Sequence, residues 1–157
     1  MNFQNYFKNK TVLITGSGRG IGLEIAREYL NHGAKVIAID INTKKLLNLR
    51  KKYKNKILIE NFDLTNLKNL SNYLKKLPKN FKNINILINN AGMKSAKNLI
   101  ETDINNLNNL INFNSIKVIE ISRILISFSL KKNKGKIINI GSSLSSHGAV
   151  FKAQGGG

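Results

Sequence analysis

Residues 11–22 read Thr-Val-Leu-Ile-Thr-Gly-Ser-Gly-Arg-Gly-Ile-Gly, and this stretch decides the fold. A short, partly β-branched run ends at spaced glycines. An apolar pattern of helical period starts directly behind them, at Ile21, Leu23, Ile25, Ala26, Tyr29 and Leu30. A strand, a tight turn and a helix N-terminus in that order make a cradle for phosphate. Gly16 allows the turn, Gly20 lets the backbone approach a pyrophosphate with no Cβ in the way, and Gly22 lets the helix pack closely on the sheet. Free helix N–H groups then face the anion, and the helix dipole adds roughly 0.3–1 kcal/mol of attraction. Glycine spacing alone is weak evidence. It gains weight here because the helix leads into a second β-branched run, 35–40, that closes on the acid Asp40.

Working outward, the pattern alternates strand and helix. Gly33 follows Asn31-His32 in the usual helix-ending position. Thr43 is placed to cap a basic helix running to Tyr53. Residues 56–62 form a third strand closing on Asp63, and a helix over 65–77 is stopped by Pro78, the only proline. A fourth strand, 84–88, is followed by Asn89-Asn90-Ala91-Gly92. A long helical stretch, 103–130, carries Ile104, Leu107, Leu110, Ile111, Ile116, Ile119, Leu125 and Phe128, and 134–140 reads as a fifth strand. The alternation predicts an α/β fold, a doubly wound parallel sheet with right-handed crossovers and helices on both faces. The strand order is then 3-2-1-4-5, and ligands bind outside the carboxyl ends of strands 1 and 4, where the order reverses. Residues 1–10 are a lead-in, 11–141 one dinucleotide-binding domain, and 142–157 a Ser- and Gly-rich loop.

Composition bounds the function. A chain of 157 residues makes one domain with one real core, and a hydrophobic content of 41% argues against disorder. Cysteine is absent, which excludes a disulfide framework and a thiolate metal site; no metal is expected. The N-terminus lacks an apolar signal core, and no apolar run approaches the roughly 18 residues of a membrane span. A cytoplasmic protein with no membrane partner is expected. The net charge of +18, from 26 basic and 8 acidic residues, raises nucleic-acid binding as one reading. The lysines scatter over helix faces and loops, however, and no aromatic residues interleave with them to stack bases. No specific nucleic-acid partner is expected.

At this point the chain resembles the short-chain dehydrogenase/reductase family. The glycines follow Thr15 as Gly-x-x-x-Gly-x-Gly (Gly16, Gly20, Gly22). The turn Asn89-Asn90-Ala91-Gly92 is similar to the family's second signature, and Asn114 matches its Asn in the long helix. Gly135-Lys-Ile-Ile-Asn-Ile-Gly-Ser142 resembles its fifth strand, with Ser142 in the active-site position ahead of the rivals Ser143, Ser145 and Ser146. The resemblance implies a Rossmann-type fold and hydride transfer between a nicotinamide and a small-molecule carbonyl or alcohol. It implies cofactor contacts from Gly16, Ser17, Arg19, Gly20, Ile21, Gly22, Asp40, Asp63 (beside the adenine), Leu64, Asn90, Ala91 and Gly92. The implied catalytic residues are Ser142, which hydrogen-bonds the substrate oxygen, and Asn114, which holds a water in a proton relay. A full-length form is expected to be a homo-oligomer.

The family's Tyr-x-x-x-Lys motif does not follow. Its Tyr is expected near Gly155, but Gly155, Gly156 and Gly157 stand there. The four tyrosines, Tyr6, Tyr29, Tyr53 and Tyr73, all lie earlier, and Lys152 does not match the family's Lys. The chain therefore reads as the N-terminal portion of such an enzyme, with C-terminal strands missing, from a truncated product or an incomplete record. Asp40 favours NAD over NADP. A 2′-phosphate against Asp40 in a partly dry site would cost on the order of several kcal/mol. An exposed Arg19 would return only about 0–1 kcal/mol. The alternatives are a non-catalytic dinucleotide-binding fragment and a basic nucleic-acid-binding domain.

Overall fold

A computed structural model describes residues 6–94 and 100–142. Five strands, β1 (Thr11–Thr15), β2 (Lys35–Asp40), β3 (Ile57–Asn61), β4 (Ile84–Asn89) and β5 (Lys136–Asn139), form one parallel sheet in the order β3-β2-β1-β4-β5. This is the order expected from the alternation. Every residue of β1 is buried, as a central parallel strand requires.

Successive strand residues point to opposite faces, and the core divides accordingly. Leu13, Ile37, Ile39 and Leu87 pack with Leu70, Leu74, Ile121 and Leu125 on one face. Val12, Ile14, Val36 and Ala38 pack with Leu23, Ala26, Leu30 and Leu49 on the other. Helices α1 (Gly20–Asn31) and α2 (Leu46–Tyr53) therefore cover the second face. Helices α3 (Leu70–Lys76) and α5 (Lys117–Leu125) cover the first. Each fully buried Leu or Ile is worth about 1.5–3 kcal/mol relative to exposure, so this two-sided core fixes the sheet whose carboxyl edge carries the site.

Several boundaries differ from the sequence expectation. Helix α2 starts at Leu46, and Thr43 contributes its backbone carbonyl to the Leu46 N–H (3.0 Å) with no side-chain cap from the N-cap residue Lys45. A 3₁₀ turn, Leu67–Asn69, precedes α3, because Asp63 and Thr65 are already engaged in a turn of their own. The long helix is not continuous. Helix α4 (Ile104–Ile111), capped by the Asp103 side chain on the Asn106 N–H (2.8 Å), passes into a π-helical turn over Asn112–Ile116. Helix α5 follows and ends in a second π turn, Ile126–Leu130. Among the described residues no helix is long and apolar enough to cross a membrane, and no group of His, Cys, Asp and Glu is placed to hold a metal ion.

Candidate functional site

The turn after β1 and the turn after β4 meet at the carboxyl edge of the sheet. Gly16 has φ +65°, and a Cβ there would lie 2.7 Å from the Ala91 Cα. A Cβ on Gly22 would lie 2.2 Å from the Gly16 carbonyl oxygen and 2.4 Å from Asn90 Nδ2. Gly22 thus lets α1 sit on the turn itself, a closer contact than the helix-on-sheet packing expected of it. Asn90 Nδ2 donates to the carbonyls of Thr15 (3.1 Å) and Gly16 (2.9 Å). Thr15 Oγ1 accepts from the N–H groups of Asn90 and Ala91, both at 3.1 Å. These bonds lock the two turns into one bracket. Thr15 was not among the sequence-derived site residues; its signal was a hydroxyl closing a strand whose interior, Val12 to Ile14, is apolar.

Gly20 differs from its neighbours. It has φ +54°, and among the described residues nothing lies within 4 Å of where its Cβ would be. Arg19, extended and exposed at the N-cap of α1, puts no side chain on the first turn. Among the described residues the N–H groups of Gly20 and Ile21 meet no acceptor. A helix N-terminus with unspent amides and open space over a glycine fits the phosphates of a dinucleotide.

Asp40 faces this turn. Its Oδ2 accepts the Gly18 N–H at 2.7 Å and its Oδ1 the Asn42 N–H at 2.8 Å. A Cβ on Gly18 would lie 2.1 Å from the Asn42 carbonyl oxygen and 2.7 Å from Asp40 Cγ. Gly18, which the motif spacing skips, is therefore the residue that admits the acid to the turn. The Gly18 amide is spent on Asp40 and that of Ser17 on Ile39, so the free N–H groups, Gly20 and Ile21 among them, lie at the start of the helix and not in the turn before it.

Ser17 also departs from its expected role. It is fully buried, and both its N–H and its hydroxyl donate to the Ile39 carbonyl (3.2 Å each), bracing β1 against β2. Leu64 buries its side chain in the core, beneath the turn after β4. Asp63 is exposed, and the Thr65 N–H on its Oδ1 (2.8 Å), with the Thr65 hydroxyl, holds its carboxyl below the usual carboxylate range. Ala91 is half-buried and Gly92 exposed along the same rim.

Asn114 sits in the π turn. Its Oδ1 accepts the Met93 N–H (2.8 Å) and its Nδ2 donates to the Met93 carbonyl (2.7 Å). The extra backbone residue of a π turn aims this side chain at the chain leaving Gly92, a common use of such turns. Both ends of the amide are thereby engaged in positioning that chain. Ser142, half-buried, follows β5 by way of Ile140, whose N–H donates to the Asn89 carbonyl at 2.9 Å. Ser143, Ser145, Ser146 and Lys152 lie outside the described residues.

A doubly wound parallel sheet with a glycine turn and an acid at its switch point defines a Rossmann-type α/β domain. The family profile described as short chain dehydrogenase matches residues 10–154, and the chain belongs to this family of NAD(P)-dependent oxidoreductases. Over 134 residues it is 34% identical to 3-oxoacyl-[acyl-carrier-protein] reductase FabG of Buchnera aphidicola subsp. Baizongia pistaciae, covering 85% of this chain and 55% of that protein. It is 31% identical over 136 residues to the NADP-dependent 3-hydroxy acid dehydrogenase YdfG of Escherichia coli, covering 86% and 55%. Among solved structures, the closed form of a serine dehydrogenase complexed with NADP+ superposes with a TM-score of 0.81 at 29% identity, covering 90% of this chain and 57% of that one. The chain spans about half the length of the curated relatives it matches.

Proposed function

We propose that this chain supplies the dinucleotide-binding part of an oxidoreductase that uses NAD(H) and a small carbonyl or alcohol substrate. When bound, the nicotinamide supplies or takes up the hydride. The chain's residues divide the remaining work. The amides of Gly20 and Ile21 hold the diphosphate, with Arg19 beside it. Asp40 accepts the adenosine ribose hydroxyls on the lone pairs its two amide bonds leave free. Asp63, the backbone of Leu64, and Asn90, Ala91 and Gly92 line the crevice. Ser142 hydrogen-bonds the substrate oxygen, and Asn114 holds the chain after Gly92 in place for it.

The observation that carries this reading is the Asp40 carboxylate fixed against the glycine turn by Gly18 and Asn42. It favours NAD, although two of the similar proteins are described with NADP. A carboxylate held in place by two amides cannot swing away from a 2′-phosphate, and like charges in a partly desolvated crevice repel. A second reading is a dinucleotide-binding fragment without turnover: the bracket of Thr15, Asn90 and Asp40 serves binding alone as well as it serves hydride transfer.

Calorimetric titration with NAD+, NADH and NADP+ tests the reading. NAD(H) binding at least about tenfold tighter than NADP+, a difference of about 1.4 kcal/mol, is expected, and Asp40→Ala should erase it. Tighter NADP+ binding by the unaltered chain would overturn the NAD assignment. No binding of either would overturn the dinucleotide site. A carbonyl-substrate screen with NADH separates enzyme from fragment.

A further inference from the structure

Beneath the Asn89–Gly92 turn lies a small cavity of about 10 Å³, lined in part by Thr15, Asn89, Phe113, Lys117, Val118 and Ile121. We propose that it is the binding site of one internal water, which donates to Asn89 Oδ1 and accepts from the Lys117 ammonium.

Asn89 is 4% exposed, at the end of β4. Its Nδ2 donates to Ser122 Oγ (3.1 Å) and to Asn139 Oδ1 (2.8 Å), which uses both amide protons. The direction of this amide is fixed by chemistry. Ser122 spends its one hydroxyl proton on the Val118 carbonyl at 2.7 Å and therefore offers Asn89 only a lone pair. A flipped amide would set acceptor against acceptor. Asn89 Oδ1 must then point the other way, where it is buried and meets no donor among the described residues. Leaving such an acceptor unpaired costs on the order of 1–3 kcal/mol.

The cavity has the size of one water and no more. Thr15 cannot serve Asn89, because its hydroxyl takes two amides and gives its proton to the Ile88 carbonyl (3.4 Å). Phe113, Val118 and Ile121 are apolar. Lys117 is the one cationic residue of the lining, and its ammonium, paired with Glu120 (3.4 Å), keeps protons to give. A cationic side chain at the cavity disfavours a metal cation there, and the lone pairs of Asn89 disfavour an anion. The water would tie the β4 turn to the helix one turn beyond Asn114. This site stands independently of the cofactor reading.

A crystal structure of the protein at a resolution that shows ordered water tests it. One solvent peak within hydrogen-bonding distance of Asn89 Oδ1 and Lys117 Nζ is expected. Val118→Ile, which fills the cavity, should abolish the peak, and Lys117→Met should weaken or empty it. In solution, long-lived water cross-peaks to the Ala91 and Phe113 amides are expected in the unaltered chain and lost in Val118→Ile. An empty cavity, Lys117 Nζ bonded directly to Asn89, or absent cross-peaks would overturn the proposal.

Discussion

At the scale of single residues, Gly18 and Gly20 make opposite predictions although they stand two places apart. Alanine at Gly18 would drive its Cβ into the Asp40 side chain and into the Asn42 carbonyl, which is backbone and cannot step aside. Gly18→Ala is expected to cost about 1–3 kcal/mol of stability through overpacking and to displace Asp40. Alanine at Gly20 meets nothing, but its positive φ costs about 1–2 kcal/mol, and its methyl takes the space assigned to the diphosphate. Gly20→Ala should therefore lose dinucleotide binding with Asp40 still in place. Urea unfolding beside calorimetric titration distinguishes the two. Thr15→Val removes one oxygen that serves two amides, and the loss of both bonds is expected to lower stability by at least about 1–3 kcal/mol. Gly16, Gly20 and Gly22 were legible because a turn before a helix needs them within a few residues. Gly18 was not, because its need for a missing Cβ comes from β2, a partner distant in sequence.

At the scale of elements, the strands were legible from continuous β-branched runs, and their order followed from alternation alone. The two π turns were not, since the apolar pattern of 103–130 reads the same through a wide turn as through an α-helix. What sets the first of them off is the bond pair between Asn114 and Met93, which no spacing rule contains. The pairing of β3 with α3 carries a pH prediction. Glu60 on β3 is half-buried beside Tyr73 of α3, and burial raises its carboxyl above the usual range. The Tyr73 hydroxyl is raised in turn by its own burial and by Glu60, without a well-formed hydrogen bond between them. The folded state then holds the Glu60 proton more tightly than the unfolded chain does. Between the two pKa values stability falls as pH rises, and the full cost is present above the folded one. Asp63, held low by Thr65, acts in the opposite sense: its contribution is present above its unfolded pKa and fades as pH falls through the folded one. Glu60→Gln is expected to raise the urea midpoint at neutral pH and to leave it nearly unchanged in the acidic range. An equal gain at both would show that burial of the charge is not the cause.

For the molecule as a whole, charge and apolar exposure oppose each other. Strand β5 pairs with β4 on one side and with no other strand among the described residues. Ile137 and Ile138 point to opposite faces of the sheet, and both are more than a third exposed, so among the described residues β5 is only partly covered on each face. Ile104, Ile111, Ile116 and Ile119 add a second exposed apolar surface along the long helix. An open edge strand with bare apolar neighbours is a template for pairing between chains. The net charge of +18 repels such pairing in dilute salt. At an ionic strength of about 0.15 M the screening length falls to about 8 Å, and that protection weakens. This 157-residue chain is therefore expected to sediment as a monomer in low salt and to associate progressively as salt rises. Ile138→Lys should move the onset to higher salt. Nucleic-acid binding driven by the same charge would respond in the opposite direction, weakening with salt through counterion release. Sedimentation velocity across a salt series, with and without a single-stranded oligonucleotide, therefore separates the two consequences of the basic composition. A salt-independent monomer would show that the edge is protected by something other than charge.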